Sequence, residues 1–312
     1  MSIETIVIES EDQWLQQRTQ DITSTEVSAL FGLSPYKTEF ELYHEKSNGQ
    51  AVKIPDNTRM KWGRRFEAPI AQGVAEDQGW NIAKINVYMR DAAARIGSSF
   101  DYKIESSSDG PGLLEIKNVD TLQFRKNWLD DEAPEHIELQ IQHQMEVSGI
   151  KWCALVAMVG GNDPKVILRN YDSDIGRSIR AKVAAFWETV DSGRAPSADY
   201  TRDADLVARL HSRSNAGEIL DTTNDVEFER LVLEYQTLSV QIDELDAQRK
   251  AHKAQLLERI GAAEKVIGPW GSIAAGQVKA SQGRLITAEM VGTYQGARSG
   301  YRNFKLNMKK EI

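Results

Sequence analysis

Asp101, Glu115 and Lys117 are the residues of this 312-residue chain whose types and spacing could do chemistry together. Two short apolar stretches, 95–101 and 113–117, flank a run of Ser, Asp, Gly and Pro over 106–112, which reads as two strands joined by a turn. Alternate residues of a strand share a face, so Glu115 and Lys117 point one way and Ile116 the other. If Asp101 projects from the neighbouring strand onto that face, two carboxylates and an ammonium converge. Carboxylate oxygens suit a hard divalent cation such as Mg²⁺. A lysine beside it orients a water or offsets charge growing on a phosphate. Taken alone the pattern is a weak signal, because acid and lysine pairs on strands also make ordinary solvated faces.

Several helices must hold these residues in place. Residues 11–20 read as a short helix ending near Arg18. Next, Thr23, Ser24 and Thr25 precede a helical apolar pattern that suits an N-cap, with Gly32 as the stop. A helix start with hydroxyls and an arginine nearby is also a phosphate site. Over 60–79, Trp62, Phe66, Ile70 and Val74 recur at four-residue spacing and predict one apolar face. Glu67 lies on a face adjoining it, one turn from Gly63. It is solvent-exposed unless this helix packs across the strands, where it becomes a third carboxylate. Pro134 opens a helix through Gly149 in which Gln140, Gln142, His143 and Gln144 crowd together. His143 reads as a surface or supporting residue rather than a ligand. Strands at 152–159 and 165–170, then a helix over 173–192, complete an α/β unit.

Apolar residues make up 41% of the chain, enough for one substantial core and a smaller appendage. No apolar run approaches the ~20 residues that span a bilayer, and residues 1–4 lack the pattern of a secretory leader. The single cysteine, Cys153, excludes an intramolecular disulfide and a four-thiolate metal site and reads as a buried thiol. A cytoplasmic location is expected. The net charge of −8 argues against nonspecific coating of nucleic acid. A local basic channel remains open, since Arg59, Lys61, Arg64 and Arg65 fall within one short segment.

The expected organisation is a core over 1–192, a linker over 193–224 and an arm over 225–312. In the arm, Leu231, Tyr235, Leu238, Ile242, Leu245 and Leu256 fall on alternating three- and four-residue steps, with Arg249 and His252 on the same seam. A helix over 225–263 would be about 55 Å long. Burying Arg249 and His252 along a continuous homodimeric coiled coil is costly. The seam is therefore expected to be partly covered, by a cap or a neighbouring subunit, with its distal end free for another protein. Residues 266–308 read as a small β-rich cap, and alternation of Phe304, Leu306 and Met308 predicts a half-buried strand.

Taken in order, Arg18 with 22–27, Trp62-Gly63-Arg64-Arg65-Phe66-Glu67, Ser99-Phe100-Asp101, Glu115-Ile116-Lys117 and 140–149 resemble the YqaJ-type viral recombinase family, which includes bacteriophage λ exonuclease. The resemblance covers about residues 10–170. It implies an α/β, restriction-endonuclease-like core, a central mixed sheet flanked by helices, here followed by the long helix and cap. It implies a PD-(D/E)xK site in which Asp101, Glu115 and Lys117 match the catalytic triad. The Ile116 carbonyl would be a further metal ligand, Glu67 the acid that helps hold a second metal, and Gln140 the accompanying glutamine. Arg18, Thr25 and Ser99 match residues that grip a 5′-phosphate, with Arg64 and Arg65 as further DNA contacts. Phe100 stands where the family has proline, and Thr25 where it has serine. The implied activity is a Mg²⁺-dependent exonuclease (Mn²⁺ substituting) acting 5′ to 3′ on linear duplex ends and leaving 3′ strands for recombination. The implied partners are double-stranded DNA ends, a single-strand annealing protein and a homo-oligomer, a trimer by resemblance. A structure-specific endonuclease of the same superfamily and a catalytically vestigial nucleic-acid-binding protein are the alternatives.

Overall fold

The computed structural model describes residues 2–49, 56–106, 110–128 and 132–277. In chain order the elements are β1 (Ile3–Val7), α1 (Glu11–Gln20), β2 (Ile22–Thr23), a 3-10 turn (Val27–Phe31), α2 (Glu39–Asn48), α3 (Thr58–Gln78), β3 (Asn81–Lys84), β4 (Val87–Asp91), β5 (Ile96–Ser98), β6 (Tyr102–Ser106) and β7 (Gly112–Val119). They continue with α4 (Thr121–Asn127), α5 (Glu135–Ser148), β8 (Trp152–Val159), β9 (Asp163–Asn170), α6 (Ser173–Asp191), α7 (Ala204–Leu210), α8 (Val226–Ile260), β10 (Lys265–Gly268) and β11 (Gly271–Ala274). Residues 1–209 form one compact unit and 210–312 another.

The first unit is a mixed α/β body with two sheets. The larger has the order β3-β6-β7-β8-β9, antiparallel except for the parallel pair β7–β8. A parallel pair needs a crossover, and α4 with α5 supplies it. β8 is an unbroken apolar run, as expected of a strand covered on both faces. Its Ala154 and Val156 pack with Ile70, Ala71 and Val74 of α3 and with Ile104, Leu114 and Ile116. Its Leu155 and Ala157 point the other way, to Trp128, Ile137 and Ile167.

The smaller sheet, β1-β4-β5-β2, lies over a third cluster in which Ile22, Leu30, Leu42 and Ile96 meet Ile141 and Met145 of α5 and Ile179, Val183 and Phe186 of α6. Burying each such side chain stabilises the fold by about 1.5–3 kcal/mol. Gly97 of β5 is required by a close approach: a Cβ there would lie 2.2 Å from the Tyr88 hydroxyl, which donates to Asp21 at 3.1 Å.

The central mixed sheet flanked by helices and the long carboxy-terminal helix are as the sequence predicts. Four local expectations change. The stretch 95–101 is not one strand: β5 pairs with β4 and β2, and a separate strand, β6, is the hairpin neighbour of β7. The hydroxyls of 23–25 do not cap a helix. Thr23 bonds Glu26 through its N–H and hydroxyl, and the turn that follows is a 3-10 turn closed by Gly32 at φ +70°. On α3, Ile70 and Val74 are buried, whereas Trp62 and Phe66 are 45% and 43% exposed and lie against one another. Within 193–224, Asp203 is buried, accepting from Thr38 at 2.6 Å, and Arg202 donates to the Ser34 carbonyl, so this part is fastened to the first unit.

In the second unit, α8 starts at Asp225, whose side chain accepts from the Phe228 N–H at 2.9 Å, and ends at Gly261. β10 and β11 form an antiparallel hairpin. The strand expected around Phe304, Leu306 and Met308 lies outside the described residues. Among the described residues, no helix is long and apolar enough to cross a membrane.

Candidate active site

Asp101 sits where the chain leaves β5 of the smaller sheet and enters β6 of the larger one. That position puts it beside the middle of β7, and its Oδ2 accepts from the Ile116 N–H at 2.8 Å. Glu115 and Lys117 share a face of β7, and the Lys117 ammonium stands 2.6 Å from Glu115 Oε1. Gln140 of α5 spans both, donating to Glu115 Oε1 at 2.6 Å and accepting from Lys117 at 3.1 Å. Gln144, one turn on, donates to Glu115 Oε2 at 2.8 Å. Glu115 is therefore buried with both oxygens bonded, which fixes its orientation.

Glu67 reaches the group from α3 and is paired with Lys84 of β3, which lies 4.7 Å over the Tyr102 ring. Burial, then the Glu115 and Glu67 carboxylates, push the Asp101 carboxyl up to about 8. Burial works against the Lys117 charge, but Glu115 and Asp101 outweigh it and hold the ammonium above its ordinary range. Three carboxyl groups thus face two lysines, and the crowding of acids falls on Asp101.

A second group adjoins the first. Arg18 of α1 donates to Thr25 Oγ1 at 3.1 Å and lies 4.6 Å over the Trp14 ring, while Trp14 Nε1 donates to Ser99 Oγ at 2.8 Å. Behind them, buried Lys46 donates to the Arg18 and Asp21 carbonyls at 2.6 and 2.8 Å and to Glu26 at 2.9 Å. Burial raises the Glu26 carboxyl, but Lys46 and Arg18 overcome it and hold it down at about 2. Gln144 also donates to the Ser99 carbonyl, at 3.3 Å, so one side chain joins the two groups.

The structure thus gathers Asp101, Glu115, Lys117, Gln140 and Glu67 in one place, and Arg18, Thr25 and Ser99 next to it. Arg64 and Arg65 are exposed near the start of α3, Arg64 paired with Asp56 and Arg65 over Trp62. His143 is not a surface residue: it is fully buried, Nε2 lying 2.9 Å from the Gly97 carbonyl, and burial holds its pKa down at about 4. Trp14, Glu26, Lys46 and Lys84 were not singled out from the sequence. Gln144 carried a signal, since Gln140 and Gln144 at i, i+4 share a helix face.

The donor set fits a hard divalent cation. Among the described residues, no group of three or more His, Cys, Asp or Glu side chains is drawn together tightly enough to hold a metal alone. Mg²⁺ does not require that, since it commonly binds through one or two carboxylates and completes its shell with waters and substrate phosphate. Asp101 and Glu115 supply carboxylate oxygens of that kind.

The first unit is thus a mixed α/β core with acids and a lysine gathered where its two sheets meet. More particularly, residues 13–151 match the model of the YqaJ-like viral recombinase domain. The chain is similar to YqaJ of Bacillus subtilis (strain 168), 25% identical over 262 residues, which are 82% of this chain and 80% of that protein. Among solved structures it is similar to an alkaline exonuclease (LHK-Exo) from Laribacter hongkongensis, at 18% identity over 63% of this chain and 99% of the other, with a TM-score of 0.48. A phage related exonuclease from Haemophilus somnus 129PT matches at 11% identity over 55% and 94%, with a TM-score of 0.43.

Proposed function

We propose that the protein is a metal-dependent DNA exonuclease that digests linear duplex ends and leaves a single strand for recombination. The observation that carries this reading is the convergence of Asp101, Glu115 and Lys117 within the residues that match the YqaJ-like viral recombinase domain. Asp101, Glu115 and the Ile116 carbonyl are the proposed Mg²⁺ ligands, with Mn²⁺ able to substitute, and Glu67 is the proposed holder of a second ion. When bound, the ion lowers the pKa of a coordinated water and neutralises charge on the scissile phosphate.

The protein's own residues do the rest. Lys117, kept charged by Glu115, holds the attacking water by hydrogen bond and balances the negative charge that develops on the phosphate. Gln140 and Gln144 fix the Glu115 carboxylate, so little reorganisation accompanies reaction. Arg18, Thr25 and Ser99 form the proposed 5′-phosphate site, in which the arginine makes a charge-assisted contact and the hydroxyls complete it. Because each cleavage exposes a new 5′-phosphate, binding of that group makes digestion directional, 5′ to 3′.

The test is a pair of substrates with Mg²⁺: a linear duplex and a closed circle of the same sequence. Digestion of the linear form alone is expected. Nicking or linearisation of the circle would replace the exonuclease reading by an endonuclease one, and inertness on both would leave a DNA-binding role without catalysis.

A further inference from the structure

Tyr36 is an aromatic residue that the fold holds in the open beside the proposed site. Its side chain is 81% exposed, although burying such a ring is ordinarily favourable. The turn beneath it is nevertheless pinned. Buried Ser34 accepts through Oγ from the Tyr36 and Lys37 N–H groups, both at 3.2 Å, and its carbonyl accepts from Arg202 at 2.7 Å. Lys37 pairs with Glu45 of α2, and Pro35 stiffens the approach to the ring.

The neighbours of Tyr36 say what it faces. Its ring meets that of His136 at 5.8 Å between centroids, with the planes at 84°. His136 lies on α5 one turn before Gln140, so His136, Gln140 and Gln144 follow at four-residue steps on one helix face. Gln140 and Gln144 hold Glu115, and Gln140 also accepts from Lys117. The Lys117 ammonium is within electrostatic reach of both rings. The row runs outward from buried Gln144 and Gln140, through half-buried His136, to exposed Tyr36 at the rim. Crossed rings cover at most one face of Tyr36, which leaves a face open to a flat partner.

We propose that Tyr36 is a stacking platform for a nucleobase of the strand being cut, next to the phosphate at Lys117. The assignment rests on the nuclease reading of the same site, which brings nucleotides to this rim. Stacking tolerates any sequence, because every base has a π-face, and so it suits digestion that must accept each nucleotide in turn.

Two variants of the full chain and one altered substrate test this. Tyr36→Phe keeps the ring and Tyr36→Ala removes it. The side chain is exposed, so both are expected to fold as the parent does, and a denaturant curve checks it. Binding is read by fluorescence anisotropy on a 5′-phosphorylated duplex closed at its far end by a labelled hairpin, with Ca²⁺ replacing Mg²⁺ to hold hydrolysis back. Tyr36→Ala is expected to weaken binding roughly 5- to 150-fold, and Tyr36→Phe less than about twofold. Removing the bases of the terminal nucleotides on the 5′ strand should weaken binding to the parent severalfold and to Tyr36→Ala much less. Parent-level binding by Tyr36→Ala, equal losses in the two variants, or an equal penalty for the missing bases in parent and Tyr36→Ala would each overturn the proposal. A parent that binds the duplex but leaves linear DNA intact with Mg²⁺ would overturn the nuclease reading alone, because stacking is read from binding. A parent that binds no duplex overturns both.

Discussion

The two polar groups at the proposed active site are built alike but carry opposite surpluses. Around β7, the carboxyls of Asp101, Glu115 and Glu67 outnumber the ammoniums of Lys117 and Lys84, and their crowding raises the Asp101 carboxyl. Around α1, Arg18 and Lys46 face Glu26, and the balance is positive. In each, a buried partner of the minority sign fixes the others: Lys117 between Glu115 and Gln140, and Glu26 between Lys46 and Arg18. A buried charge without such a partner costs several kcal/mol, so the minority residue is structural as well as electrostatic. On the proposed reading, the surplus in each group meets a ligand, a cation in one and a phosphate in the other.

Removing a member of the negative group has the largest expected effect. Glu115→Gln keeps the hydrogen-bonding shape but removes the charge, and should lower the hydrolysis rate at least about 10²-fold. It should also abolish the rise in melting temperature that Ca²⁺ or Mg²⁺ produces in the parent. A melting shift as large as the parent's would separate Glu115 from the cation.

Glu26→Gln sharpens the other side of the comparison. It leaves Lys46 buried beside Arg18 without its carboxylate, and denaturant unfolding should show a loss of about 3–5 kcal/mol near neutral pH. The folded pKa of Glu26 is held near 2, below its ordinary value of 4.5. Its contribution is therefore complete above about pH 4.5 and lost as pH falls toward 2, about 3 kcal/mol in all. The parent should lose stability steeply through that window and Glu26→Gln less so. Parallel curves would show that the carboxylate carries little of this linkage.

Arg18→Ala should slow digestion of a 5′-phosphorylated end roughly ten- to hundredfold, from a charge-assisted bond of ~1.5–3 kcal/mol, and spare a 5′-hydroxyl end. Equal losses on both ends would make Arg18 a general DNA contact. The smallest effect belongs to Trp14→Phe, which keeps the ring under Arg18 but drops the bond to Ser99. A loss of about 0.5–1.5 kcal/mol in end discrimination is expected, and none at all would mean Ser99 is positioned without it.

Much of this was legible in the sequence because local rules and tertiary packing agree. The helix over 135–148 stops at Gly149, in the left-handed region at φ 76°, and α6 begins at Asp172, whose side chain caps it. The shared face of Glu115 and Lys117 follows from strand geometry alone. What was hidden depends on neighbours distant in sequence. Nothing local separates β5 from β6; the break at 99–101 exists because β5 is claimed by β4 and β2 while β6 is claimed by β7. Trp62 and Phe66 obey the same spacing as Ile70 and Val74, yet spacing cannot say where the opposing surface ends. Trp14, Lys46 and Glu26 are spread over α1, α2 and the turn between them, and only folding brings them behind Arg18.

The most direct measurement of the central claim is the rate at which Lys117→Ala digests a linear duplex with Mg²⁺, beside a denaturant curve confirming that the variant is folded. Lys117 is the residue that separates a hydrolytic site from a mere cluster of acids. A folded variant whose rate has fallen at least about 10²-fold is the result the account requires. A folded variant that digests the duplex at the parent rate would contradict it.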